Sequence, residues 1–150
     1  MKLNYMSGIV ALLLAASSAP SQLNQPQITV YKDRSCGCCK KWVAHLEASG
    51  FKTIVKEVDA TAPYQKQFHV PAELGSCHTA VVDGYTIEGH VPAREIKKLL
   101  SERPKVVGLS VPGMPIGSPG MENGDRRQAY SVLTFDKSGK SKVYASYAAR

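Results

Sequence analysis

The chain has 150 residues, 43% of them apolar, with 19 lysines and arginines against 12 aspartates and glutamates, a formal charge of +7 and four cysteines. That length and apolar fraction allow one domain with a core of its own, so cross-links are not required for folding. The basic residues are scattered (Lys40 and Lys41, Arg94 with Lys97 and Lys98, Arg126 and Arg127) and read as solvated faces, with no run long enough for a nucleic-acid patch, so no nucleic-acid partner is expected.

Residues 1–19 read as an export signal. Lys2 supplies the charged start, Ile9 to Ala16 an apolar run, and Ala15-Ala16-Ser17-Ser18-Ala19 the small residues of a cleavage region. The run is too short to span a bilayer and nothing later is longer, so no membrane insertion is expected once the signal is removed. Pro20 disfavours a cut directly after Ala19, which places cleavage loosely between Ala16 and Gln22. Residues 20–27 are expected to be a linker and 28–150 a single domain. Export would put the cysteines in an oxidising compartment, where an even number ordinarily means structural disulfides. The crowding of three of them into Cys36 to Cys39 argues against two such bridges.

Ile28-Thr29-Val30-Tyr31 reads as a short buried strand. Cys39, Trp42, Val43 and Leu46 recur at i, i+3, i+4 and i+7, which predicts a helix with one apolar face running to about Ser49 and stopped by Gly50. Between strand and helix lies Lys32-Asp33-Arg34-Ser35-Cys36-Gly37-Cys38-Cys39-Lys40-Lys41. This places the thiols at a helix N-terminus, where free backbone N–H groups and the positive end of the dipole favour thiolate, and Lys32, Arg34, Lys40 and Lys41 add positive potential. Cys36 and Cys39 form a C-x-x-C pair with Cys38 interposed, so three sulfurs share one small volume.

Phe51 to Asp59 forms a second strand, and Pro63 opens a short helix through Phe68. Thr79 to Gly89 is a hairpin about Asp83-Gly84. Pro92 starts a helix with Ile96, Leu99 and Leu100 as its apolar stripe and Pro104 just beyond its end. The order βαβα followed by ββα is that of a thioredoxin-like α/β domain, its first two strands parallel by a right-handed crossover. Gly108 to Gly124, rich in glycine and proline, is expected to be neither helix nor strand but a long loop carrying Met114 and Met121. Tyr130 to Phe135 and Val143 to Tyr147 close the chain as a hairpin about Asp136-Lys137-Ser138-Gly139, which either extends the sheet or covers the loop.

Cys77 and His78 precede the third strand, which in this layout lies against the cysteine turn, so Cys77 can face the other three thiols. His78 falls about where thioredoxins and glutaredoxins carry a cis-proline, and Pro71 is too far upstream to serve. This weakens the case for disulfide exchange and puts an imidazole, either ligand or satisfied polar group, beside the sulfurs. His45 lies about 10 Å along the helix from Cys38 and reads as structural. His69 and His90 read as a loop residue and a helix-entry residue, Trp42 and Phe51 as core.

The C-G-C-C turn after the first strand, Ser76-Cys77-His78-Thr79-Ala80 before the third, Glu88-Gly89-His90-Val91-Pro92, and the glycine/proline/methionine loop together resemble the CopG-type family of exported copper-resistance proteins, over Ile28 to Tyr147. The resemblance implies a thioredoxin-like fold, a periplasmic location, copper as the bound ion, and a role in copper tolerance or Cu(I)/Cu(II) redox handling. The residues name no partner protein; another envelope copper-handling protein is one partner that this role allows. Carried over by position, the ligands would be Cys36, Cys38, Cys39 and Cys77, with Met114 and Met121 as thioether donors. A redox role would also need a site for Cu(II), which prefers nitrogen and oxygen donors, and His78 is the obvious nitrogen candidate.

Donor chemistry points the same way, because thiolate and thioether select Cu(I) whereas zinc makes no use of methionine. The soft donors outnumber what one Cu(I) needs, and closely spaced thiolates bridge metals, so a multinuclear thiolate-bridged centre is one form the site can take. The competing reading is a thiol–disulfide oxidoreductase with Cys36 attacking, Cys39 resolving, and Cys38 and Cys77 accessory. Plainer roles remain for the methionines as gap-fillers under a loop, and for Cys77 as an ordinary buried thiol. Structural zinc is the third and weakest reading, since it leaves Met114 and Met121 without a part.

Overall fold

The computed structural model describes residues 26–150. The expected export segment 1–19 and residues 20–25 of the expected linker lie outside the described residues. In chain order the elements are β1 (Gln27–Asp33), α1 (Gly37–Ala48), β2 (Lys52–Val58), α2 (Ala62–Gln67), a short 3-10 turn (Ala72–Leu74), β3 (His78–Val82), β4 (Tyr85–Gly89), α3 (Ala93–Glu102), β5 (Gly108–Val111), β6 (Tyr130–Phe135) and β7 (Ser141–Tyr147). The strands form one mixed sheet in the order β2-β1-β3-β4-β5-β6-β7. The chain is therefore a mixed α/β protein with more sheet than helix.

β1 and β2 pair in parallel across α1, as the crossover rule requires. β3 runs antiparallel to β1 and is joined to β4 by Asp83 and Gly84, which take φ of 49° and 84°. Two successive left-handed residues give a two-residue turn whose twist matches the paired strands. One face of the sheet receives α1 and α3. Ile28, Val30, Ala80, Val82, Ile87 and Leu109 of the strands meet Trp42, Val43 and Leu46 of α1 and Ile96 and Leu99 of α3 in a continuous core. The opposite face receives α2 and the 3-10 turn: Tyr31 stacks on Tyr64 with centroids 4.3 Å apart, and the Ser110 hydroxyl donates to the Leu74 carbonyl at 2.8 Å.

The stretch from Gly108 to Gly124 is not loop throughout. Gly108–Val111 forms β5, parallel to β4 and fully buried. Gly108 suits a strand here because its neighbour comes too close for a side chain: a Cβ would lie 1.8 Å from the Thr86 carbonyl oxygen. The glycine marks a close backbone approach rather than a break. β6 and β7 extend the sheet beyond β5, with an irregularity between Val132 and Leu133, and β7 begins at Ser141, ahead of the expected Val143. No helix among the described residues is long and apolar enough to cross a membrane.

Candidate metal centre

The turn between β1 and α1 is fixed by short-range bonds. Asp33 accepts from the Ser35 backbone N–H at 2.7 Å and from the Ser35 hydroxyl, and its carbonyl accepts from Cys36 N at 3.1 Å. The Ser35 hydroxyl, followed by the Ser35 N–H, holds the Asp33 carboxyl below the usual carboxylate range. Cys36 is the N-cap of α1, its sulfur accepting from Cys39 N at 3.3 Å. A cap residue is half in the helix and half out, so its side chain folds back over the first turn. Of the four basic residues expected to charge this turn, two are engaged elsewhere: Lys32 is buried with its ammonium 3.4 Å from Glu57, and Arg34 lies 3.3 Å from Asp59. Lys40 and Lys41 remain exposed beside the thiols.

Cys36 and Cys39 are joined as a disulfide, while Cys38 and Cys77 are free. Cys38 Sγ lies 3.5 Å from Cys36 Sγ and 4.0 Å from Cys77 Sγ, and all four sulfurs fall within 4.8 Å of one another. Cys39 is fully buried on the core face of α1, and Cys36, Cys38 and Cys77 are half-buried. Two segments about 40 residues apart thus deliver sulfur to one point, from the first turn of α1 and from the start of β3.

The methionine-bearing loop closes over this point. The Ser76 hydroxyl donates to the Gly113 carbonyl at 2.6 Å, and the neighbouring Met114 Sδ comes within 4.0 Å of Cys38 Sγ. Gly120 crosses α1 so tightly that a Cβ would meet the Cys38 carbonyl oxygen at 2.7 Å and Trp42 N at 2.9 Å, and its φ is +87°. Met121 lines a groove of about 450 Å³ together with Gly37, Cys38, Lys41, Ile116 and Glu122. The two methionines therefore flank Cys38 differently, Met114 in sulfur contact and Met121 along the groove wall.

Three of the histidines find distinct uses. His45 accepts from Ala93 N at 3.1 Å, tying α1 to the start of α3 in the structural role expected of it. His78 is fully buried, with its ring 4.3 Å from that of Trp42 and its Nδ1 3.4 Å from Cys77 Sγ; its Nε2 has no hydrogen-bond partner among the described residues. His90, expected to be a plain helix-entry residue, is fully buried and places Nε2 3.1 Å from Cys77 Sγ. Its Nδ1 lies 2.8 Å from the Pro119 carbonyl, which can only accept, so Nδ1 carries the proton and the Nε2 lone pair faces the sulfur. Cys77, His78 and His90 form a second donor group that overlaps the four-sulfur group at Cys77. A signal for His90 lay in the hairpin: with Asp83-Gly84 as a two-residue turn, counting outward along the pairing sets position 90 opposite position 77.

Burial pushes the Cys77 thiol up to about 12, with the neighbouring Cys38 adding to the effect, so a metal captured there displaces a proton. Burial, and next the adjacent His90, pulls His78 down to about 3 against the opposing Gly89 carbonyl; burial also lowers His90. Both imidazoles are thus held neutral, the form that ligates. For His78 the folded value lies below the unfolded value near 6.5, so its stabilising effect is complete above 6.5 and is lost as pH falls from there toward 3. The metal-free protein is expected to lose roughly 1.4 kcal/mol per pH unit across that window from this group. Urea midpoints at pH 7 and pH 5 check this, and equal midpoints would count against it.

A family model described as a protein of unknown function, DUF411, matches residues 74–121, the part that carries Cys77, His78, His90, Met114 and Met121. No curated protein matches the chain. Two solved structures of copper resistance protein CopG are similar over nearly their full length. Form 1 is 50% identical with a TM-score of 0.78, covering 83% of this chain and 99% of that one. Form 2 is 51% identical with a TM-score of 0.76, covering 82% of this chain and 98% of that one. With half of its residues shared over that span, and with the cysteines gathered as described, the chain belongs to the CopG family of copper resistance proteins.

Proposed function

We propose that this protein is a periplasmic copper-binding protein of copper resistance that, when reduced, holds Cu(I) on Cys36, Cys38, Cys39 and Cys77, with Met114 and Met121 as thioether donors. The observation that carries the reading is the meeting of four sulfurs, from two remote segments, within 4.8 Å of one another. Thiolate and thioether are the ligands Cu(I) selects. Two donor groups share Cys77, so its thiolate can bridge ions, and more than one copper fits the donor set. His90 Nε2 and His78 Nδ1 add nitrogen beside the sulfur, which supports Cu(I)/Cu(II) conversion because Cu(II) prefers nitrogen donors. The sheet order β2-β1-β3-β4, with α1 and α3 on one face and α2 on the other, supports assigning residues 28–150 to the thioredoxin-like class, with β5 to β7 as an extension. The composition of residues 1–19 supports export by a cleaved signal.

Copper ligation and the Cys36–Cys39 bond compete for the same sulfurs, so the protein must be reduced before loading. Anaerobically reduced protein is expected to take up more than one Cu(I) per chain with a sulfur-dominated first shell, read by metal analysis and X-ray absorption. Failure to retain copper, or a shell of oxygen and nitrogen alone, would overturn the reading. The disulfide with Cys38 Sγ at 3.5 Å favours a second reading, a thiol–disulfide oxidoreductase using Cys36 and Cys39. Rapid insulin reduction by the metal-free protein together with weak copper affinity would select it.

A further inference from the structure

Glu88 lies on β4 and is fully buried, yet no ion pair engages it among the described residues. Its carboxyl group is instead held by three donors. Oε1 accepts from the Ser76 backbone N–H at 2.7 Å and from Gln65 Nε2 at 2.8 Å, and Oε2 accepts from the Thr79 hydroxyl at 2.7 Å. Gln65 Nε2 also donates to the Ser76 carbonyl at 3.0 Å. Ser76 is thereby held at its N–H, its carbonyl and, through the Gly113 carbonyl, its hydroxyl. It also packs against Gly89, where a Cβ would meet Ser76 Cβ at 2.7 Å.

This arrangement is more than a segment needs merely to enter a strand. Burying a carboxyl group without a paired charge is costly even when it is hydrogen-bonded, and a hydrophobic residue at this site would pack without that cost. What the carboxylate supplies is a fixed location for the residue that precedes Cys77. Because Ser76 reaches Gly113 on the other side, the same fixture also sets where Met114 begins. We infer that Glu88, acting through Gln65 and Ser76, is a positioning residue that holds Cys77 and Met114 in register with the α1 sulfurs. It touches no sulfur itself. The inference rests on the copper reading for its purpose, but the placement of Cys77 can be measured without metal.

In metal-free protein with the Cys36–Cys39 bond closed, alkylation of Cys77 is followed by mass spectrometry; the copper-loaded form is followed by its sulfur-to-copper absorption. Glu88→Leu is expected to speed Cys77 alkylation at least tenfold and to change the copper spectrum, while Glu88→Gln, which keeps an acceptor facing Ser76, restores both. Ser76→Ala is expected to change the spectrum without the tenfold rise in Cys77 alkylation, since it cuts the tie to Gly113 and the hydroxyl's 3.9 Å contact with Cys77 Sγ but leaves the backbone bonds to Glu88 and Gln65. Should Glu88→Leu fail to fold, Gln65→Ala carries the test, with faster alkylation expected. Parent-like alkylation and spectrum in a folded Glu88→Leu or Gln65→Ala protein overturn the inference, as does a Glu88→Gln protein as impaired as the leucine variant. A parent protein that binds no copper would overturn the proposed function, and the alkylation rates would still decide the role of Glu88.

Discussion

Cys77→Ser is expected to weaken Cu(I) binding by about a hundredfold or more while leaving the fold standing, the largest loss from any single ligand. Cys77 is the one residue common to both donor groups, with Cys38 Sγ at 4.0 Å on one side and His90 Nε2 at 3.1 Å on the other. Losing a residue that merely orients a ligand typically costs roughly tenfold to a hundredfold in metal affinity, so removing the shared ligand should exceed that range. A serine oxygen is a hard donor and does not replace thiolate toward Cu(I). It can, however, donate to His90 Nε2 as the thiol does, so the melting temperature should move little. Anaerobic competition against a chromophoric Cu(I) chelator measures the affinity. Binding within threefold of the parent would show that Cys77 is not central.

Gly108→Ala is expected to produce the largest loss of stability, about 3 kcal/mol, at the upper end for overpacked sites. The added methyl would sit 1.8 Å from the Thr86 carbonyl oxygen and 2.6 Å from its carbon, and backbone cannot rotate away as a side chain can. β5 would have to separate from β4, breaking the Thr86 N to Val107 O bond at 3.0 Å and the parallel register beyond it. Because β6 and β7 reach the rest of the sheet only through β5, they would be undermined with it. At about 4 °C per kcal/mol for a domain of this size, the metal-free melting temperature should fall by about 12 °C. A change under about 2 °C would mean that β5 can shift without cost.

The elements that were legible in the sequence are those whose signals are local. Cys39, Trp42, Val43 and Leu46 are the buried residues of α1, as their spacing predicts, and Asp83-Gly84 turns the hairpin. Cys77 could be set against Cys38 because one strand order places the start of β3 beside the β1–α1 turn. Three features were hidden for distinct reasons. β5 looked like loop because glycine is a poor strand former on average, whereas here the proximity of Thr86 demands it. His90 looked plain because Pro92 drew it into a helix start, although the hairpin pairing carries it to Cys77. Lys32 and Arg34 looked like charge for the thiols, but β2, paired alongside β1, brings Glu57 and Asp59 to meet them.

The donors come from the start of α1, the start of β3, the residue after β4, and the loop beyond β5. No short fragment of the chain contains the whole centre, so an extended polypeptide carries the Cys36 to Cys39 trio apart from Cys77, His90 and Met114 and has no complete site. Chain collapse and strand pairing, with their slow long-range closures, must come first, and cargo can be taken up only afterwards. On the proposed copper reading, each ion bound to the folded form would draw the equilibrium further toward it, making the metal a late-acting brace for the sheet that assembled the site.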